Sequence, residues 1–274
     1  MRVEPVDDLG DPRLADYRDL ADAGRRGTFV AESRLIVRRL VESGRFPIRS
    51  VLLTRPGYED LRDVLEARRD IRVFVASHAT IKGVLGFNFH RGCLAIGERQ
   101  ATPSPSAVIE ACAVGRPLVV LERLSYPDNV GAVFRNALAF GAGGVLLSPG
   151  CGDPLYRKTI RVSMGGSLQV PFASSNDWPA DLERLREAGF SVLALTPHSA
   201  AADIARQRTF PERVALLLGA EGEGLSPAAR EHADAELRIA MAPGVDSLNV
   251  ATAAAIALHR LASGRAEPPA GAAD

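Results

Sequence analysis

The stretch PDNVGAVFRNALAFGAGG, Pro127 to Gly144, decides how the chain is read. Val130, Val133, Phe134, Ala137 and Leu138 recur at the i, i+3, i+4, i+7, i+8 spacing of one buried helical stripe. A glycine turn follows, and GGVLLS then continues as an apolar strand. Helix, turn and strand in that order form the unit of α/β folds. Arg135 sits inside the helix, roughly 130° from the centre of the apolar stripe at 3.6 residues per turn. It therefore faces away from the buried side. Asn129 stands at the helix entry, where a side chain of its type serves as an N-cap.

The same alternation extends downstream. PLVVLE, GGVLLS, LQVPFA, FSVLALT, VALLLG and AELRIAM are short apolar runs bounded by Gly, Pro or charge. Helical stretches separate most of them, among them YRKTIRVSM, WPADLERLREAG and PAAREHA, and SLNVATAAAIALHRLASG closes the series. Strands apolar on both faces predict a parallel sheet covered by helices, with ligands beyond the carboxyl ends of the strands. Upstream, SRLIVRRLVESG and YEDLRDVLEARR read as helices, and RSVLLT, IRVFVAS and GCLAIGE as strands of a smaller α/β domain. RQATPSPSAV carries turn chemistry. The expected organisation is an N-terminal domain over 1–99, ordered from about residue 28, a linker over 100–116, a second domain over 117–264, and a disordered tail over 265–274.

Composition narrows the function. The 274 residues carry 33 basic and 33 acidic side chains, so a globally basic nucleic-acid binder is not indicated, although a local patch would escape that sum. All basic residues but Lys82 and Lys158 are arginine, whose planar fork suits phosphate oxygens. Cys93, Cys112 and Cys151 form no CxxC pair, and the five histidines keep no metal-ligand spacing. No metal is expected. With no apolar run of membrane-spanning length and no signal-peptide core at the N-terminus, a soluble cytoplasmic protein is expected.

Two further stretches carry chemistry. LLLGAEGEGLS, Leu216 to Ser226, runs a strand into a turn where Gly219, Gly222 and Gly224 let backbone approach a ligand. It lacks the GK[ST] of a P-loop and the spacing of the dinucleotide fingerprint, and Glu221 and Glu223 would repel a pyrophosphate. IAMAPGVDSLNVATAAAIALH, Ile239 to His259, ends a strand, turns at Pro-Gly and starts a small-residue helix near Asp246 or Ser247, with Ser247 a ready cap. Asn249, a poor helix former in the first turn, is left without a structural reason.

NVGAVFRNA, LLLGAEGEGLS and IAMAPGVDSLNVATAA, in that order, resemble the three successive motifs of the SpoU family of RNA ribose 2′-O-methyltransferases, within the SPOUT superfamily. RVSMGGSLQVP, Arg161 to Pro171, resembles a connecting segment of the same family, and the likeness spans roughly residues 117–262. FVAESRLIVRRLVESG and GFNFHRGCLAIGE are similar to the small α/β substrate-binding domain, itself like certain ribosomal proteins, that often precedes it. The resemblance implies a deep trefoil knot, a homodimer, and S-adenosylmethionine held largely by backbone. The implied cofactor positions are Thr196, Leu218, Gly219, Ala220, Ile239, Met241 and Leu248. The implied catalytic positions are Asn129, Arg135, Glu221, Ser247 and Asn249. Arg135 would grip an RNA phosphate and stabilise charge on the 2′-oxygen, Ser247 and Asn249 would orient the reactants, and Glu221 would brace its motif. Gly166 and Ala251 depart from the family's usual alanine and serine without touching those positions. Ribosomal RNA is the expected substrate, with transfer RNA or a non-catalytic RNA-binding role as alternatives. Arg34, Arg38, Arg39 and Arg91 are candidate RNA contacts in the N-terminal domain.

Overall fold

A computed structural model describes residues 2–18, 20, 23–86, 89 and 92–263. Arg91 and the tail 265–274 lie outside the described residues. The chain forms two compact units, residues 1–101 with 153–169, and residues 102–152 with 170–274.

Among the described residues the first unit holds five strands: β1 (Arg2–Pro5), β2 (Thr28–Glu32), β3 (Ile48–Leu53), β4 (Arg72–Val75) and β5 (Cys93–Glu98). Their order is β1-β4-β3-β5-β2, with β1, β4 and β3 parallel and β5 antiparallel to both its neighbours. The helix Arg34–Ser43 shows how locally this is specified. Ser33 caps its first turn, Gly44 ends it in the left-handed region at φ 61°, and Ile36, Val37, Leu40 and Val41 form its buried stripe. Order begins well before residue 28: β1 pairs with β4, Val6, Leu14 and Tyr17 are buried, and the Tyr17 hydroxyl meets Ser50 Oγ at 2.8 Å. A four-residue strand whose sequence is RVEP has too little alternation to announce itself. The helices Arg157–Val162 and Gly166–Gln169 complete this unit, with Arg157 paired to Glu32 at 2.9 Å and Arg39 Nη1 donating to the Met164 carbonyl at 2.5 Å.

The second unit holds β6 (Leu118–Leu121), β7 (Gly144–Leu147), β8 (Phe172–Ser174), β9 (Ser191–Leu195), β10 (Ala202–Asp203), β11 (Val214–Leu218) and β12 (Ala235–Arg238). The order is β10-β12-β9-β11-β6-β7-β8 and every pairing is parallel. All residues of β6, β7 and β11 are buried, as uninterrupted apolar runs covered on both faces must be. The stretch expected as a linker instead contains the helix Pro105–Ala111, whose Val108 and Ile109 join the core. Ser104 caps that helix and Pro105 opens it, so residues read as turn chemistry are a helix start. The helix Pro127–Ala139 packs along the final helix Val250–Ser263.

Candidate active site

The loops leaving three adjacent strands, β12, β9 and β11, open at their carboxyl ends around one cavity of about 570 Å³. That volume suits a small organic molecule. Thr196 follows β9. Leu218, Gly219, Ala220 and Glu221 close β11 and begin its loop. Ile239 and Met241 follow β12, and Ser247, Leu248 and Asn249 lead into the final helix. The structure therefore brings the seven implied cofactor positions, with Glu221, Ser247 and Asn249, into one lining.

Close backbone approach explains the glycine at 219. A Cβ there would lie 2.4 Å from the Gly224 carbonyl carbon and 2.5 Å from the Leu225 nitrogen. The loop closes on itself through the Gly224 amide, which donates to the Ala220 carbonyl at 2.9 Å, and Gly222 and Gly224 adopt φ of 82° and 68°.

Asn249 is the junction of the site. Its Nδ2 donates to Asn129 Oδ1 at 3.0 Å and to Glu221 Oε1 at 2.8 Å. Its Oδ1 accepts from the Ala251 and Thr252 amides at 2.9 and 3.3 Å, so Asn249 is the N-cap of the last helix. The helix begins at Val250, later than expected, and Ser247 is not its cap. Asn129 is not a cap either. Pro127 opens the preceding helix, Tyr126 occupies the cap position without a side-chain bond, and Asn129 is buried in the first turn.

Arg135 stands apart. It is exposed on its helix and does not line the cavity, and its side chain makes no hydrogen bond or ion pair among the described residues. Its neighbour Asn136 instead donates to the Ala251 carbonyl at 2.8 Å, joining the two helices. The cavity lining carries the carboxylates Glu221 and Asp246 and no Lys, Arg or His among the described residues. Such a lining repels phosphates and attracts a cation.

In the first unit, Arg34 pairs with Asp60, Arg38 binds both oxygens of Asp63 at 2.6 and 2.9 Å, and Arg39 holds the Met164 carbonyl. The Arg38 guanidinium keeps the Asp63 carboxyl below the ordinary carboxylate range. Arg34 also lines a second cavity, about 900 Å³, together with Arg55 and His78. Among the described residues no helix is long and apolar enough to cross a membrane, and no group of three or more His, Cys, Asp or Glu could hold a metal ion.

One buried group escaped the sequence reading. Glu122 directly follows the apolar strand β6, is 2% exposed, and accepts hydrogen bonds from Trp178 and Ser226. An acid at the end of an apolar run is the only local signal it leaves.

The family model for the SpoU rRNA Methylase family matches residues 116–259. An uncharacterized tRNA/rRNA methyltransferase of Mycobacterium tuberculosis is 42% identical over 266 residues, covering 94% of this chain and 91% of the relative. The 23S rRNA (guanosine-2′-O-)-methyltransferase RlmB of Ralstonia nicotianae is 30% identical, covering 77% of this chain and 85% of its own. Among solved structures, an AdoMet-bound rRNA methyltransferase from Sinorhizobium meliloti superposes with a TM-score of 0.79 at 27% identity, covering 97% of this chain and 99% of that one.

Proposed function

The chain is an RNA methyltransferase belonging to the SpoU rRNA methylase family, and we propose that it methylates a ribose 2′-hydroxyl of ribosomal RNA with S-adenosylmethionine as donor. The observation that carries the donor assignment is the cavity itself, which is sized for a small molecule, bounded by the close backbone approach at Gly219 and, among the described residues, charged only by carboxylates. Bound there, S-adenosylmethionine supplies a methyl group on a positively charged sulfur. The names of the Ralstonia and Sinorhizobium proteins support ribosomal RNA over transfer RNA.

The residues divide the work. Ser247 and Asn249, at the cavity wall, orient the reacting groups. Glu221 accepts from Asn249 and braces it. Arg135 contributes its fork to the RNA phosphate and to the charge that grows on the 2′-oxygen. Because Arg135 is exposed and outside the lining of its own cavity, it serves the cavity of a second copy in a homodimer. The return of the chain from β12 to a helix packed on Pro127–Ala139 supports a knotted path through this region. Arg34, Arg55 and His78 around the second cavity form the contact with RNA in the first unit.

The test is to map 2′-O-methylation on ribosomal and transfer RNA from cells with and without the gene. One ribosomal ribose should lose its methyl group in the deletion and regain it with purified protein and S-adenosylmethionine. Loss confined to transfer RNA would overturn the substrate, and loss of a base methyl group would overturn the ribose assignment.

A further inference from the structure

The structure assigns Glu122 a positioning role: a buried clasp that holds both ends of the glycine loop lining the cofactor cavity. The inference rests on the reading of that cavity as the S-adenosylmethionine site. The loop from Gly219 to Leu225 has positive φ at two glycines and so has much backbone freedom to lose. At its start, the Glu122 amide donates to the Leu218 carbonyl at 2.8 Å. At its end, Glu122 Oε2 accepts the Ser226 amide at 2.7 Å and Oε1 accepts the Ser226 hydroxyl at 2.6 Å. Ser226 in turn caps the helix Pro227–Glu231, with the Ala229 amide donating to Ser226 Oγ at 3.1 Å.

Trp178 completes the set, its Nε1 donating to Glu122 Oε1 at 2.9 Å. A carboxylate with 2% exposure persists only when its oxygens are satisfied, and three donors converge on this one. Neither Glu122 nor Trp178 lines the cavity. Their effect on binding must pass through the loop. Holding the loop at both ends before the ligand arrives removes an ordering cost from the binding step.

The experiment compares wild type, Glu122→Gln, Ser226→Ala and an exposed control, Glu110→Gln, by calorimetric titration with S-adenosylmethionine and by amide hydrogen exchange. Glutamine at 122 keeps the shape but turns one oxygen into a donor facing the Ser226 amide. Its affinity for S-adenosylmethionine should fall about tenfold, with KM rising more than kcat falls. Exchange should quicken at 219–226 while β9 and β11 stay protected. Trp178, the only tryptophan of the chain, should shift its emission in Glu122→Gln and not in the control. If wild type itself fails to bind, the cavity reading fails. If wild type binds and Glu122→Gln binds equally well with unchanged loop exchange, the clasp is overturned. Should Glu122→Gln not fold, Ser226→Ala decides: weakened binding with exchange quickened at 219–226 and β9 and β11 still protected supports the clasp, and unchanged binding or unchanged loop exchange refutes it.

Discussion

Asn249 and Asn129 lie 120 positions apart, yet their side-chain amides meet at 3.0 Å, Nδ2 of Asn249 donating to Oδ1 of Asn129. The same nitrogen reaches Glu221, and the same side chain's oxygen starts the last helix. One residue thus carries a structural duty on its oxygen and a site duty on its nitrogen. The two are separable because aspartate retains the first and lacks the second.

Asn249→Asp should therefore keep the helix cap but set a second carboxylate against Glu221, so methyl transfer falls about 100-fold at some cost in melting temperature. Asn249→Ala should lose both, with about 1 kcal/mol of stability going with the cap. Thermal unfolding beside single-turnover methyl transfer distinguishes them. Wild-type turnover by Asn249→Asp would leave Asn249 as a helix cap and nothing more.

Arg135→Ala should lower transfer about 100- to 1,000-fold and leave S-adenosylmethionine affinity unchanged, because its fork serves the RNA phosphate and the 2′-oxygen rather than the methyl donor. Arg135→Lys keeps the charge without the fork and should recover only part of the rate. Mixing Arg135→Ala with Asn249→Asp subunits tests the dimer. Shared sites would regain transfer in the mixture, each intact residue coming from a different chain, and no recovery would return Arg135 to its own chain's site.

The elements that could be read in the sequence are those whose cause is local. Ser33 and Gly44 bracket their helix in plain view, and the unbroken apolar runs of β6 and β11 state that both faces are covered. The helix at Pro105 was hidden because Ser-Pro signals both a turn and a helix start, and only its core contacts decide between them. The pairing of the candidate RNA contacts Arg34 and Arg38 with Asp60 and Asp63 was not legible, because those carboxylates come from another helix. The site residues were legible through motif order alone. No spacing rule joins residue 129 to 249, and none marks Glu122, whose partners lie 56 and 104 positions away.

Two glycines of the same loop should respond differently to alanine. At Gly219 a Cβ collides with backbone atoms of Gly224 and Leu225, so the loop must move. Gly219→Ala should cost about 1–3 kcal/mol and weaken S-adenosylmethionine binding more than tenfold. At Gly222 the added Cβ meets open space, and only the positive φ of 82° is unfavourable, a cost of about 1–2 kcal/mol. Titration of both variants should show the larger affinity loss at 219. The reverse order would mean that loop conformation, not backbone contact, governs the cavity.

Alkaline stability offers a check on the first unit. Cys93 is fully buried, and burial pushes its thiol well above the ordinary range. Tyr17, also fully buried, has its phenol raised in the same way, with burial outweighing the Ser50 hydrogen bond. Both stay protonated when folded and ionise freely when unfolded, so their contribution is complete below the unfolded values and is lost as pH rises above them. The loss begins near pH ~8.5 for the thiol and near ~10 for the phenol, at about 1.4 kcal/mol per pH unit per group. Denaturant unfolding from pH 7 to 10 should show stability falling through this window, and Cys93→Ala should flatten the first part of the decline whatever its effect at pH 7. An equal slope in the variant would mean that Cys93 ionises in the folded protein, and that the packing around β5 is looser than its burial indicates.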